Sequence, residues 1–294
     1  SRGLGDVYKR QTMADSINFH HASVQEILSL DNIRASLQRM EESIVFRLIE
    51  RAQFAYNACV YQDGAFPELR EKEHWTGSWL AWSLRATEAW HAKLGRWLAP
   101  DEHPFTPLDQ LPEPVLAPND YPEILHPHRV NVTHEIVQFY TQDIVPQITI
   151  REGRPLNDRQ YGSSVVCDIE ALSAIAHRIY FGMFVSESKF RADPAAFIPA
   201  IQTRDTDALA SLITKPAVEQ KLLERVHQKA EVYGQNLDHT HQAAAERKIQ
   251  SDDMVRLYQQ YIIPLTKKVE IDYLLQRLDG LSPDELARLQ NRAA

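Results

Sequence analysis

Cysteine is almost absent: the 294 residues hold two, Cys59 and Cys167, with no Cys-x-x-Cys pair. That excludes a disulfide framework and fits a chain whose thiols stay reduced. Long apolar runs are missing too, and none reaches the roughly 18 residues of a membrane span. Nor is there a basic excess. The chain has 32 lysines and arginines against 40 aspartates and glutamates, a formal net charge of -8. Nucleic acid is therefore not an expected partner, because phosphate binding needs a basic surface. An anionic small molecule would need a local cationic pocket set against the overall field. Strand-like alternation is scarce, no internal repeat shows, and there is no phosphate loop or nucleophile motif.

What is present is an ordinary globular balance, 44% hydrophobic and 24% charged, enough for a substantial core. The opening SRGLGDVYKRQT is unlike the rest of the chain, and Met13 begins a plausible second start. Residues 1–12 are read as a non-native or assembly-derived tail and 13–294 as one domain. The segment after Met13 has neither an apolar signal core nor an Arg-rich transit pattern, so the expected compartment is the cytoplasm.

Residues 31–57 contain no Gly or Pro, and Ile33, Leu37, Met40, Ile44, Leu48 and Ala52 form a stripe of helical period. Further helices are predicted over 78–98, 133–150, from Ser163 as N-cap through 190, and over 205–214, 216–233, 252–278 and 283–292. Pro216 suits a first helical position, and Pro264 should kink its helix. Residues 99–130 carry eight of the sixteen prolines and read as a long wrapping loop. The expected fold is all-α, a single domain of long helices with a Pro-rich crossover. A stripe this long also suits burial against a second copy, so a homodimer is expected.

Within HRIYFGMFVSESKF, Arg178 and Lys189 stand eleven residues apart, hence about 20° apart around a helix and about 16 Å along it. Gly182 and Val185 lie between them, a low floor on which two long cations could close over a small anion. The plainer alternative is that both snorkel to water from a core helix. In IIPLTKKVEIDYLLQRL, Thr266 and Glu270 share a face with Ile262 and Leu274. Apolar flanks would keep the Glu270 carboxyl protonated, or it could be a boundary glutamate paired with Lys267.

With these segments stand LDNIRASLQRMEESIVFRLIERAQF, APDEHPF, YGSSVVCDIEALSAIAHRIYFGMFVSESKF and AVEQKLLERVHQKAEVYG. Together, in this order from about Leu30 to Leu278, they resemble the fungal and plant type of chorismate mutase. The resemblance implies an all-helical homodimer that converts chorismate to prephenate by an intramolecular Claisen rearrangement, without cofactor or metal. It also implies site roles. Arg34 and Arg178 would hold the substrate's two carboxylates, work suited to arginine's planar fork. Lys189 and protonated Glu270 would meet at the ether oxygen, Glu219 would accept from the substrate hydroxyl, and Thr266 would support a carboxylate. Lys215 departs from the asparagine common in fungal members. For the effectors tryptophan and tyrosine the resemblance points to Arg96, Gly162 and Ser163, with Gly95 and Val166 as departures. A switch threonine of the yeast-like pattern falls near Gln250 or Ser251.

Two rival readings remain. Glu-x-x-His pairs at Glu71/His74, Glu88/His91, Glu123/His126 and Glu224/His227 would suit a di-metal carboxylate bundle, whereas His126/His128 and His239/His241 read as loop residues. A catalytically inactive helical dimer would be expected to have lost Arg34, Arg178, Lys189 or Glu270, and all four are present.

Overall fold

The structure is a computed structural model that describes residue 19, residues 21–234 and residues 249–291. The expectations for residues 1–12, for His239/His241 and for Arg292 lie outside the described residues.

Helices begin where the sequence supplies a cap or a proline. Ser23 starts α1 (Val24–Ile27) with a capping box closed by Glu26. Ser29 caps α2 (Leu30–Arg51), and Pro67 opens α3 (Pro67–Glu73). Ser78 caps α4 (Trp79–Lys93). Then come α5 (Thr133–Phe139), α6 (Val145–Thr149), α7 (Tyr161–Tyr180) and α8 (Gly182–Ala192). Asp193 and Asp205 cap α9 (Pro194–Gln202) and α10 (Thr206–Ile213), and Pro216 opens α11 (Pro216–Tyr233). The chain continues through α12 (Ser251–Leu257), α13 (Ile263–Leu274) and α14 (Pro283–Asn291). No strand occurs among the described residues.

Several boundaries differ from the sequence reading, each for a local reason. The helix expected to reach 57 stops at Arg51. There the guanidinium turns back onto the carbonyls of Ala55 (3.0 Å) and Tyr56 (3.1 Å), and Asn57 adopts φ 51°. The helix expected over 78–98 ends at Lys93, and Gly95 at φ 80° leads into a separate 3-10 turn. Ser163 is not the N-cap of α7. Gln160 precedes the helix and Ser163 lies inside its first turn. The helix expected to run on through 190 is interrupted at Phe181. The helices α3 and α9, both begun by proline, were not foreseen. Near Pro264 the chain makes a wide π-helical turn over Tyr258–Ile262, and an equivalent turn over Tyr140–Ile144 precedes Pro146. A proline inside a helix lacks an N–H and crowds the carbonyl four residues back, and a π-turn relieves both.

The long helix α2 packs most extensively on α7, and α13 packs on α8. A fully buried ion pair joins the first two: Arg51 Nε donates to Asp168 Oδ1 at 2.6 Å, both side chains 0% exposed. Tyr61 and Tyr140 hydroxyls complete the carboxylate at 2.8 and 2.9 Å. The main core fills the space between α2, α4, α7, α11, α12 and α13, with smaller clusters beneath α9–α10 and α1. The Pro-rich segment is the expected strap. Its Phe105 and Thr106 N–H groups donate to buried Glu88, each at 2.7 Å.

One glycine decides how closely α8 approaches α13. A Cβ on Gly182 would stand 2.8 Å from Thr266 Cγ2 and 3.1 Å from Glu270 Cγ. Thr266 cannot rotate away freely, because its hydroxyl donates to the Ile262 carbonyl at 2.7 Å and β-branching limits its rotamers. Gly182→Ala is therefore expected to destabilise the fold by about 1–3 kcal/mol from overpacking, exceeding the roughly 1 kcal/mol gain in helix propensity. Denaturant unfolding of both proteins checks this. A variant at least as stable as the parent would show that the helices do not need this approach.

Candidate active site

The close approach of α8 to α13 forms one wall of a cavity of about 310 Å³. Arg34, Arg178, Lys189, Glu219, Thr266 and Glu270 all line it, brought from α2, α7, α8, α11 and α13. Gly182 does not line it. The low floor expected between Arg178 and Lys189 is instead the surface on which Thr266 and Glu270 rest. Val185 does line the cavity.

Arg178 does not snorkel. It is 5% exposed, and its Nε and Nη1 have no hydrogen-bond partner. A buried charge left without a partner costs several kcal/mol, a cost that an anion in the cavity would remove. Seven lysines and arginines line the cavity against three glutamates, a cationic pocket in a chain of net charge -8.

Glu270 is 8% exposed. Burial raises its carboxyl pKa to about 7 against the opposing pull of Lys189, Arg178 and Lys267. Lys267 does not pair with it, but binds Glu219 at 2.7 Å. Burial also lowers the Lys189 ammonium, with nearby Glu270 pulling the other way. The Lys189 ammonium donates to the Ile213 carbonyl. Arg34 pairs with Asp31 at 3.1 Å, and its side chain is half exposed. A cation and a neutral carboxylic acid, on adjacent helices of one cavity, can both donate to one oxygen.

The sequence reading missed Glu41, fully buried, which accepts from Arg225 at 2.8 Å and pairs with Lys229 at 3.2 Å. Its signal was its spacing. Glu41 stands seven residues, two turns, beyond Arg34 and so shares its face. Lys215, Lys221 and Arg225 also line the cavity.

The residues named for effectors are not gathered in one place. Arg96 and Val166 line a second cavity of about 790 Å³ with His91, Ser173 and His177. Arg96 there donates to Ser173 Oγ (2.9 Å) and Glu102 (3.0 Å). Gly162 and Ser163 are exposed on the first turn of α7 and do not line that cavity. Gln250 precedes α12 and Ser251 begins it. Of the residues in the Glu-x-x-His pairs, Glu88 holds the strap, His91 lies 3.3 Å from Arg96, and His126 meets the Asp279 carbonyl at 2.8 Å. Among the described residues no three His, Cys, Asp or Glu converge to hold a metal. Nor is any helix among them long and apolar enough to cross a membrane.

No family model matches the chain. Individual proteins do. It is 42% identical over 259 residues to chorismate mutase 1, chloroplastic, of Zea mays, covering 86% of this chain and 80% of that one. The crystal structure of Aro7p chorismate mutase from Candida albicans, in complex with L-Trp, superposes with a TM-score of 0.83. It is 41% identical, over 91% of this chain and 98% of that one. The crystal structure of AtCM1 with tyrosine bound in its allosteric site gives a TM-score of 0.74 at 41% identity, over 86% and 98%.

Burying Glu270 has a measurable consequence. Its pKa of about 7 in the fold lies above the unfolded value near 4.5. The native state therefore holds the proton more tightly, and stability falls as pH rises from 4.5 through 7. Glu270→Gln removes that loss. The ligand-free variant is expected to exceed the parent by about 3 kcal/mol above pH 8 and to match it near pH 4.5. Unfolding free energies at the two pH values test this. A difference that does not change with pH would mean that Glu270 ionises normally.

Proposed function

This chain belongs to the chorismate mutase family, and from that premise we infer what its cavity does. The protein is an isomerase that rearranges chorismate to prephenate, a step of aromatic amino acid biosynthesis. The observation that carries the site assignment is the buried Arg178 guanidinium with two nitrogens lacking a hydrogen-bond partner, facing a cavity where Lys189 and Glu270 also converge. Chorismate is a dianion, and its reaction breaks a C–O bond while charge grows on the ether oxygen.

In this reading Arg178 and Arg34 clamp the two carboxylates, with Thr266 supporting one. Only the compact conformer, with the side chain over the ring, lets both be held at once. Lys189 and neutral Glu270 donate to the ether oxygen as it gains charge, a stabilisation larger in the transition state than in the ground state. Glu219, oriented by Lys267, accepts from the ring hydroxyl. Holding the reactive conformer and two charge-assisted contacts at one atom can supply the roughly 8 kcal/mol of a million-fold acceleration.

The second cavity is assigned to amino acid effectors, with Arg96 as the carboxylate-binding group competing against Glu102. Solved relatives hold L-Trp or tyrosine. The support on this chain is the basic Arg96 at the wall of a cavity that shares α7 with Arg178. Phe46 on α2, Trp90 on α4, Leu94 just after α4 and Val166 on α7 expose 48%, 60%, 61% and 57% of their surface, and these residues are proposed to be covered by a second copy in a homodimer. A cytoplasmic location is the reading kept here. It rests on two thiols without a disulfide, Cys59 and Cys167, and fractionation of cells tests it against the chloroplast of the plant relative.

Arg178→Lys keeps the charge but loses the bidentate fork, and turnover of chorismate is expected to fall at least a hundredfold. Activity within a few-fold of the parent would remove Arg178 as the clamp. For Glu270 the readout is pH. Only its neutral form donates, so kcat/KM of the parent should decline as pH rises through about 7, whereas Glu270→Gln should stay active without that decline. Equal midpoints in the two profiles would place the titrating group elsewhere. Tryptophan should raise activity at subsaturating chorismate and tyrosine should lower it. A chain indifferent to both has no working effector site.

A further inference from the structure

The two groups assigned to the ether oxygen sit on different helices. Lys189 is on α8 and Glu270 is on α13. Their meeting depends on the register of one helix against the other, which an apolar seam alone fixes weakly because neighbouring turns of a helix offer similar grooves. The seam here is not purely apolar. Ser186 Oγ donates to the Glu270 carbonyl at 3.2 Å. One residue on, Glu187 is fully buried and accepts from three directions. The Tyr273 hydroxyl donates at 2.6 Å, Arg277 donates through Nε at 2.6 Å and Nη2 at 3.1 Å, and Arg191 donates at 2.5 Å. Burial pushes the Glu187 carboxyl up, but Arg277, Tyr273 and Arg191 together outweigh it and leave it below the ordinary range. It is therefore an ionised, fully partnered carboxylate inside the protein.

We propose that Glu187, Tyr273 and Arg277 are positioning residues, a clamp that fixes α8 against α13 so that Lys189 and Glu270 reach the same substrate oxygen. The proposal rests on the site reading above and goes beyond it, since none of the three lines the cavity. The clamp stands two residues from Lys189 and one helical turn from Glu270. A buried ionic cluster suits this task because slipping by one turn would leave charges unpaired at a cost of several kcal/mol, whereas an apolar seam could slip cheaply. The strap secures the same point. The His126 N–H donates to the Tyr273 hydroxyl at 2.9 Å, and Arg191 Nη2 donates to the Ile124 carbonyl at 3.0 Å.

Arg277→Lys tests the clamp because it keeps the charge and removes the fork. Tyr273→Phe removes one hydroxyl and no charge. In either folded variant kcat is expected to fall about tenfold or more, since misplacement by about 1 Å can cost a hundredfold, while KM stays within about threefold. A second readout separates positioning from mere loss of stability. Glu270 is faced by Arg178 from α7, Lys189 from α8, Glu219 from α11 and Lys267 from its own helix. Of these Lys189 depends most directly on the clamp. If Lys189 drifts away, its pull on Glu270 weakens, and the alkaline decline of kcat/KM moves to higher pH. The double variant should lose less than the product of the single losses, because both break one cluster. A parent-like kcat, or a lower kcat with an unmoved alkaline limb, overturns the proposal. Arg178→Lys, measured alongside, separates the failures. If it is inactive while the clamp variants match the parent, only the clamp is wrong. If it too matches the parent, the site reading has failed.

Discussion

A guanidinium inside a helical core, with two of its nitrogens lacking a hydrogen-bond partner, is the constraint around which the cavity is arranged. Arg178 sits near the C-terminal end of α7, the helix that packs on α2, α4, α5 and α13. A charged group left unpaired in that place is costly, and an anion in the cavity beside it would offset the cost. The neighbouring carboxylates do not satisfy it. Glu41 is taken by Arg225 and Lys229, Glu219 by Lys267, and Glu270 is held near neutrality by burial. Each glutamate among the cavity residues is diverted or held near neutrality, which leaves the arginine available for the dianion in the function proposed.

The same economy of space produces the acid. Because Gly182 has no side chain, α13 lies against α8 closely enough to bury Glu270 beside Lys189. Desolvation then works on both groups, raising the carboxyl and lowering the ammonium, so a neutral donor and a cation coexist near pH 7. In the role proposed for Glu270, the stability lost by burying an ionisable carboxyl is the counterpart of keeping a neutral donor in the cavity.

One helix joins the two cavities. Val166, Ser173 and His177 on α7 face the larger one, and Arg178, next along the chain, faces the smaller. A ligand that displaced α7 by a fraction of an ångström would therefore move Arg178, the charge proposed to anchor the substrate, and packed helices transmit such shifts because they are not continuously deformable. In the effector site proposed, regulation would depend on what a ligand at Arg96 does to its bonds with Glu102 and Ser173.

By itself the sequence determined the helical class, the strap and most of the helices, through local rules: apolar period and prolines clustered at 99–130. Spacing on one face singled out Arg178 with Lys189 and Thr266 with Glu270, whereas Arg34 and Glu219 were named only through the family resemblance. It could equally be read with Arg178 in water and Glu270 paired to Lys267, because periodicity says which face a residue shares and not what lies opposite. Only the tertiary structure decided those questions. Whether a face meets solvent, an apolar neighbour or a charge depends on contacts distant in sequence, such as Glu41 with Arg225, Arg51 with Asp168 and Glu187 with Arg277. The helix ends at Arg51 and Phe181 fall on residues whose local propensities allowed a helix to continue, whereas the wide turns before Pro146 and Pro264 follow from the prolines themselves.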